Sequence, residues 1–354
     1  MAIHLSDDER DLLVGSLRQV LQTSWPVDKA VEMSTDVAAV RGVAGDLHAL
    51  GVAELGAPDG PGVSEMLLFF EELGRASCPA PVIGACVANR LLDGATDSAV
   101  RDLLAAARAG TAVPAVALAG FDGDVAAGEV RAVDGRVTGS VAFVEDWAVA
   151  SHLLVFVAHT PGMAVVRIDD PGVHITPTPG LAVPPLGTVT LDAPLAGWVA
   201  ADTGRLADAA MLVRLAAAAR AHGSARRAFE LAVDHAKMRR QFDHVIGEFQ
   251  AIQHKLADCL TRLDGARVSL SGAAQAADGG NPHWRVFADA AIAFAGPALR
   301  QVLLEVHHTL GAIGYAEEHE VPRHFRRVHA DLVRFGGAAR ARIALADHLL
   351  TPGT

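Results

Sequence analysis

The amino-acid sequence predicts a mostly helical α+β protein with three consecutive parts. Apolar residues recur at helical spacing over residues 1–110, which we assign to an N-terminal helical domain. Short apolar runs separated by Gly, Pro and Asp then fill residues 111–200, as expected for a small β domain. Long alanine-rich stretches occupy residues 201–354 and predict a C-terminal helical bundle. The order of helices, strands and helices defines the expected fold class.

The N-terminal part carries local signals for the ends of two helices. Ser6 and Glu9 have the spacing of a capping box, and an apolar stripe at helical spacing follows them. We expect Ser64 to cap a later helix that Gly74 ends.

Short runs of β-forming residues in the middle part are separated by turn residues: Val113–Leu118, Val137–Val144, Leu153–Ala158, Ala164–Ile168 and Val173–Thr176. Their close spacing favours a small antiparallel sheet or barrel over βαβ units, which need a helix between strands. No glycine-rich phosphate loop follows any of these runs, so the sequence gives no support to a Rossmann nucleotide site.

The C-terminal part begins with two long predicted helices, Leu206–Ala236 and Gly247–Ala276. The turn residues Gly279–Pro282 break the pattern, and two or three further helices follow. Long helices joined by short breaks are typical of an antiparallel four-helix bundle.

The composition bounds both the class of protein and its partners. The 354 residues are enough for two or three domains, and 51% of them are hydrophobic, which argues against a disordered chain. A formal net charge of −11 argues against nucleic acid or an anionic membrane as a partner. No run reaches the roughly 20 apolar residues that a membrane span requires. We therefore expect a soluble protein that binds neither nucleic acid nor a membrane.

The cysteines, the histidines and the N-terminus indicate a compartment and limit the chemistry of the site. Cys78, Cys86 and Cys259 lack ligand spacing, which disfavours a metal site and a disulfide framework. The 16 histidines are scattered without carboxylates at ligand spacing, so no metal site is predicted. The segment Met1–Glu9 has no signal-peptide pattern, and a cytoplasmic location is expected.

Three segments resemble the acyl-CoA dehydrogenase family and occur in that family's order. The first is Leu50–Pro58 followed by Glu71–Ala76, which is similar to the family's N-terminal helical domain. The second, Arg239–Asp258, is similar to the family pattern of an Arg, two residues, Phe-Gly, Ile-Gly-x-Phe-Gln-x-x-Gln and Leu-Ala-Asp. The third, Leu310–His319, is similar to a Gly-Gly-x-Gly-Tyr turn. The resemblance implies the acyl-CoA dehydrogenase fold over essentially the whole chain, with FAD as the cofactor.

In this family each flavin lies at a subunit interface, and one subunit contacts the ADP half of its neighbour's FAD. The resemblance assigns that role here to five residues: Arg239, Phe242, Gln250, Gly311 and Gly314. The Arg would pair with the pyrophosphate, and the glycines would bring backbone N–H groups close to a phosphate or ribose. The alternative is that Arg239 is a solvated helix end and that the glycines form a plain interhelical turn.

The sequence departs from the family pattern at several positions of the flavin site. His308 and Ala312 replace a Gln and the second Gly of the third segment. The loop Ala117–Gly123 lacks the family's Thr or Ser contact to the flavin ring, and Glu145 replaces a hydroxyl in a later strand. A carboxylate beside the flavin N5 would disfavour the anionic reduced cofactor by like-charge repulsion.

The family's catalytic Glu removes the α-proton of the thioester and stands at one of two positions. Here those positions hold Val213 and Gly336, and neither residue can take a proton. The carboxylates Glu317, Glu318 and Glu320 are interpreted as solvated helix ends. No catalytic residue is therefore predicted in this chain.

This pattern resembles the base-lacking subunit of actinobacterial heterotetrameric acyl-CoA dehydrogenases, several of which act on sterol side chains. It implies a subunit of a lipid-degrading enzyme that forms α,β-unsaturated acyl-CoA from a fatty acyl-CoA or a sterol side-chain acyl-CoA. A base-bearing partner subunit would supply the catalytic Glu, and this chain would be inactive without it. Two alternatives stay open: a scaffold or binding subunit without flavin contact, and a homo-oligomeric flavoenzyme with a relocated base.

Overall fold

The computed structural model of the chain describes residues 5–57, 59–118, 130–180, 183 and 185–350. Within these ranges the first part is helical: α1 Asp7–Ser24, α2 Ala30–Met33, α3 Val37–His48, α4 Val63–Arg75, α5 Ile83–Leu92 and α6 Ser98–Arg108. The middle part contains strands: β1 Pro114–Ala117, β2 Arg131–Val133, β3 Arg136–Val144, β4 His152–Val157, β5 Gly162–Arg167, β6 Val173–Pro177, β7 Gly187–Pro194 and β8 Gly197–Ala200.

The last part is again helical, with one short hairpin between its first two helices. Its elements are α7 Thr203–Met238, β9 Arg240–Gln241, β10 His244–Val245, α8 Gln250–Asp278, α9 Trp284–Leu310, α10 Val321–Val333 and α11 Gly337–Leu350. The predicted fold class, a mostly helical α+β protein with a small sheet region, is confirmed.

The two helix starts predicted in the N-terminal part have different outcomes. The capping box at α1 is confirmed, because the Ser6 backbone N–H donates to Glu9 Oε2 at 2.8 Å and the Ser6 hydroxyl caps the Glu9 N–H. The prediction that Ser64 caps α4 is wrong, since the N-cap residue is Gly62. Instead, the carboxylate of Asp278, at the end of α8, accepts a hydrogen bond from the Ser64 backbone N–H at 2.9 Å. This bond gives a partner to one of the free N–H groups at the start of α4.

Gly74 does not end α4, which continues to Arg75. A Cβ at Gly74 would collide with the backbone carbonyl oxygen of Arg220 on α7, and a Cβ at Gly223 would collide with the Glu71 carbonyl oxygen. These two glycines therefore let the backbones of α4 and α7 approach closely.

The strands form two four-stranded sheets, in the orders β1-β4-β5-β8 and β2-β3-β7-β6. The pairs are antiparallel, as predicted, except that β1 and β4 run parallel with Ala115 opposite Leu153. One apolar cluster takes residues from both sheets, including Val141, Val189 and Val155, so the sheets pack face to face.

The long helices pack as the predicted bundle, with α9 in contact with α7, α8, α10 and α11. The segment Trp284–Tyr315 is long and apolar enough to cross a membrane by length and composition alone. Half of its apolar window is nevertheless buried inside this chain, against the neighbouring helices. The first half of α7 also belongs to the core of the N-terminal helices, so α7 joins the two helical parts.

Candidate functional site

The segment that joins α7 to α8 is a tight hairpin with Phe242 and Asp243 at its turn. Both turn residues have positive φ, 52° and 63°, as a two-residue type I′ turn requires. The turn projects the Phe242 side chain outward, and this residue is 85% exposed. Its ring lies edge-on to Phe249, with 6.4 Å between the ring centroids. The hairpin thus presents an aromatic surface to solvent.

Arg239 caps the C-terminal end of α7, where its backbone N–H donates to the His235 carbonyl oxygen at 2.8 Å. The Arg239 side chain is exposed, and its guanidinium makes no hydrogen bond or ion pair within the part of the chain that the structure describes. Burial lowers the pKa of His235, and the positive charges of Arg239 and His319 lower it further. An exposed cation without an internal partner, next to an exposed aromatic hairpin, suits an anionic ligand.

The other predicted contact residues lie at helix boundaries. Gln250 is the first residue of α8 and is exposed. Gly311 ends α9 with φ 63°, a left-handed conformation that favours glycine. Gly314 is buried, and a Cβ there would lie 3.2 Å from His307 Nδ1. The turn exposes Tyr315, whose ring centroid lies 4.7 Å from that of His307. The geometry of the turn alone accounts for both glycines.

A different arrangement occupies the region where the sequence places the flavin ring. Glu145 follows β3 directly and is buried. Arg220 of α7 donates to both oxygens of Glu145, at 2.6 and 2.8 Å, and also donates to both oxygens of Asp331, at 2.9 and 2.6 Å. Arg334 donates a further hydrogen bond to Glu145. Together these four residues form a buried network, called here the Glu145–Arg220 network.

The charges of the network balance one another. Burial alone would raise the pKa of Glu145, but Arg220 and Arg334 more than offset this effect and hold that pKa well below its usual range. Asp331 and Glu145 raise the pKa of Arg220 despite its burial. Glu145 is therefore a fully paired carboxylate, and the predicted repulsion of a reduced flavin by an unpaired carboxylate at this position has no basis in the structure.

Two more ionisable groups adjoin the network. Burial raises the pKa of Asp146 to about 8, and the charge of Glu145 adds to this shift. Arg327 is fully buried, and its guanidinium has no hydrogen-bond acceptor among the described residues. Burial, followed by the nearby charge of Arg220, lowers the pKa of Arg327 to about 10.

The two positions that the resemblance assigns to the base lie on different elements. Val213 is buried on α7, and Gly336 has φ 74° in the turn before α11. A cavity of about 10 Å³ lies beside the network and is lined in part by Arg214, Asp331 and Arg334. It has space for about one water molecule.

Several other sequence predictions concern residues around the site. The segment Ala119–Gly123 lies outside the described residues. Glu317 and Glu318 are exposed, as predicted for helix ends. Glu320, in contrast, pairs with Arg227 at 2.9 Å, so its carboxylate is not a freely solvated group. Among the described residues, no group of three or more His, Cys, Asp or Glu side chains is placed to hold a metal ion.

The sequence reasoning missed Arg220, Asp331 and Arg334 as partners of Glu145. One signal was available: Arg220 interrupts an alanine-rich stretch of α7, four residues after Ala216 and four before Ser224, on a buried helical face. A cation at such a position requires a buried anion as a partner.

Comparisons with known proteins show which family and fold the chain resembles. A family model described as acyl-CoA dehydrogenase, C-terminal domain, matches residues 204–350. The acyl-CoA dehydrogenase FadE34 of Mycobacterium tuberculosis is 29% identical over 308 residues, which are 85% of this chain and 41% of that protein. Two other relatives are matched over 36% and 30% of their length. The chain therefore spans less than half the length of these curated relatives.

Two solved structures of similar fold come from two-component complexes. A variant of the Tcur3481-Tcur3483 steroid ACAD has a TM-score of 0.86 and 27% identity, and the match covers 97% of this chain and 98% of that chain. The ChsE4-ChsE5 complex from Mycobacterium tuberculosis has a TM-score of 0.84 and 23% identity, with complete coverage of both chains. Residues 204–350 thus match the acyl-CoA dehydrogenase family, and the chain as a whole is similar to members of that family in sequence and fold. PigA, a protein of similar fold, has been solved with FAD, the cofactor that the sequence predicted here.

The residues at the hairpin fit one half of an FAD. At the hairpin, Arg239 offers donors that no described residue uses, and Phe242 offers an exposed ring. These features suit the pyrophosphate and the apolar faces of the ADP half. Around Glu145, Arg220 and Arg334 neutralise the carboxylate that replaces the family's hydroxyl.

Proposed function

We propose that this chain is the non-catalytic subunit of a hetero-oligomeric, FAD-dependent acyl-CoA dehydrogenase. In this proposal the chain contacts the ADP half of an FAD whose ring is held by a partner subunit. The partner also supplies the catalytic Glu. The observation that carries the proposal is the Glu145–Arg220 network, which neutralises the carboxylate at the position that the resemblance assigns to a flavin contact.

The network is costly to open. Moving Arg220 aside would leave Glu145 and Asp331 as buried carboxylates with fewer partners. Breaking a buried ion pair by removing one member costs about 3–5 kcal/mol. A flavin ring would therefore have to displace a set of interactions that already satisfy one another. This physical argument favours a permanently closed site over a homo-oligomeric flavoenzyme.

The chemistry of the family explains why a base must come from elsewhere. When bound, FAD would supply the acceptor for a hydride from the β-carbon of the acyl thioester, and a carboxylate would remove the α-proton. A base must lie within hydrogen-bond reach of that proton. Val213 and Gly336 offer no proton acceptor. Proton removal is therefore assigned to the partner.

The part of this chain in cofactor binding rests on the hairpin between α7 and α8. Arg239 would pair with the pyrophosphate through charge-assisted hydrogen bonds. Phe242 would cover an apolar face of the cofactor, and Gln250 would offer its amide. Gly311 and Gly314 would allow the ribose or phosphates to approach the backbone. The exposure of Arg239 and Phe242 supports binding by a surface that faces another subunit.

The partner and the substrate class are inferred from the relatives. The similar structures from Tcur3481-Tcur3483 and ChsE4-ChsE5 each contain two named components, which supports a heteromeric assembly here. The first of them is described as a steroid ACAD. We infer a fatty or sterol side-chain acyl-CoA as the substrate of the assembly, and a cytoplasmic location for it.

Co-expression with a base-bearing relative tests the proposal. We expect this chain alone to be colourless and inactive, because its ring site is closed. The complex should be yellow, with one FAD per pair of unlike subunits by absorbance, and should oxidise acyl-CoA. A yellow, active homo-oligomer of this chain would overturn the proposal. A complex that assembles without flavin would instead identify a scaffold subunit.

A further inference from the structure

A cavity of about 210 Å³ lies between α1, α4, α7 and α8. His222 lines it, two residues after Arg220 on the same helix. Residues two apart on an α-helix point about 200° apart, so this cavity lies on the other side of α7 from the Glu145–Arg220 network. Its apolar wall consists of the side chains Leu67, Leu68, Ala219, Leu270 and Ala274. The dehydrogenase chemistry proposed above makes no use of this space.

Two guanidinium groups border the cavity with donors that the described part of the chain does not use. Arg10 Nη2 donates to Glu65 Oε1 at 3.1 Å, but the buried Arg10 Nε has no acceptor among the described residues. Arg267 is exposed at the cavity, and within the described ranges its side chain makes no hydrogen bond or ion pair. Both arginines can therefore donate to an anion in the cavity.

The carboxylates at the cavity have partners within the chain. Glu65 is held by Arg10, and Glu71 Oε1 lies 3.3 Å from His222 Nδ1. His222 Nε2 lies 3.1 Å from the Leu263 carbonyl oxygen, which can only accept, so Nε2 carries a proton. Nδ1 can then pair with the Glu71 carboxylate only when the ring is protonated.

The charge balance at the cavity follows from these contacts. Burial alone would raise the pKa of Glu71, but His222, Arg75 and Arg267 offset this effect and lower that pKa. Arg10 pairs with Glu65, and Arg267 acts on Glu71 through its charge without a direct ion pair. The Arg267 guanidinium therefore keeps donors that no described residue uses, and they can bind an anion at the cavity.

We propose that this cavity binds a short-chain carboxylate as a second, non-catalytic ligand. The carboxylate accepts hydrogen bonds from Arg10 Nε and from the Arg267 guanidinium. Its hydrocarbon tail packs against Leu67, Leu270 and Ala274. An engineered cavity of about 150 Å³ holds benzene, so by proportion this one holds about eight non-hydrogen atoms, the size of hexanoate. The bound acid would connect α1 and α4 to α7 and α8.

Titration calorimetry of the full-length chain with n-hexanoate and with n-hexanol tests the charge requirement. We expect saturable binding of hexanoate at one site and binding of hexanol at least about tenfold weaker, because the alcohol lacks the charge-assisted bonds. Arg267→Gln should weaken hexanoate binding by about tenfold to a hundredfold. Arg262→Gln is the matched control, because Arg262 lies on the same helix and does not line the cavity.

A second variant tests the location. Ser271 is exposed at the cavity, so Ser271→Phe should fill the space and abolish binding while the thermal midpoint of the free chain stays close to that of the wild type. Equal affinity for hexanoate and hexanol, equal losses in Arg267→Gln and Arg262→Gln, or unchanged binding in Ser271→Phe would each overturn the proposal. The outcome is independent of flavin content, so it is separate from the test of the proposed function.

Discussion

Arg220 and Glu145 form a two-pronged ion pair between the middle of α7 and the end of β3, with N–O distances of 2.6 and 2.8 Å. Both side chains are buried. The pair joins the β domain to the helical bundle at the residue that the resemblance assigns to a flavin contact. The same interaction therefore holds the β domain against the bundle.

Removing the negative charge of Glu145 should destabilise the chain. In Glu145→Gln, Arg220 and Arg334 remain buried but lose their shared counter-ion. This loss should lower the free energy of unfolding by about 3–5 kcal/mol. Urea denaturation followed by circular dichroism measures this loss of unfolding free energy. Glu318→Gln is the control, because Glu318 is exposed, and it should change the free energy of unfolding by less than about 0.5 kcal/mol. Equal stability of the two variants would show that the network contributes nothing net.

The stability of the chain should depend on pH through Asp146. Its pKa is raised from an ordinary value near 3.8 to about 8, first by burial and then by Glu145. Between these two pH values the folded chain binds a proton that the unfolded chain has released. The contribution of Asp146 to the free energy of unfolding is therefore fully present at low pH and is lost as the pH rises through about 8.

Asp146→Asn tests this dependence, because the amide does not titrate. As the pH rises from 5 to 8, the unfolding free energy of the wild type should fall relative to that of Asp146→Asn. Denaturation series at three pH values in this range measure it. Asp347→Asn, at an exposed position, should show no such trend. A constant difference for Asp146→Asn would mean that Asp146 titrates with the same pKa in both states.

Arg239 should contribute to flavin retention in the assembled complex. Arg239→Ala removes the donors assigned to the pyrophosphate, and loss of such a bond costs about 1.5–3 kcal/mol, or about tenfold to hundredfold in affinity. Fluorescence of released FAD during dilution measures the change. Lys237→Ala is the matched control, since Lys237 is an exposed cation two residues earlier that pairs with Asp234. Unchanged retention in Arg239→Ala would identify Arg239 as a solvated helix end.

Features set by local sequence could be predicted, and those set by distant partners could not. The capping box of Ser6 and Glu9 needs only residues three apart, and it was predicted correctly. The cap of α4 could not be predicted, because its acceptor, Asp278, lies more than 200 residues away in the sequence. The parallel pairing of β1 with β4 likewise depends on the packing of two sheets. The alternation of apolar residues predicts a strand but does not show which other strand pairs with it.

The candidate site shows the same division. The family pattern located Arg239 and Phe242, and the structure adds that both are exposed on a hairpin. The pattern also showed that Glu145 replaces a hydroxyl, and charge alone suggested repulsion of the reduced flavin. That inference failed because the two arginines that neutralise Glu145 come from α7 and from the turn before α11, 75 and 189 residues away.

The last prediction concerns where catalysis takes place in the assembled enzyme. If a base had moved within this chain, Glu145 and Glu318 would be the leading carboxylates. Glu145 is buried and is held by three hydrogen bonds from Arg220 and Arg334. Glu318 is exposed in the segment after the glycine turn. Neither is placed to reach an α-proton.

Glu145→Gln and Glu318→Gln, each assembled with the partner, should therefore change turnover by less than about fivefold, far below the 10²–10⁴-fold contribution of general base catalysis. The partner's catalytic Glu, changed to Gln, should lose at least that factor. Steady-state oxidation of acyl-CoA with an artificial electron acceptor measures turnover, and flavin content is determined for each complex. A collapse of turnover in Glu318→Gln or Glu145→Gln with full flavin content would place the base in this chain. Proton removal would then take place at a third position in the fold, away from Val213 and Gly336. The proposal that the partner supplies the base would be wrong.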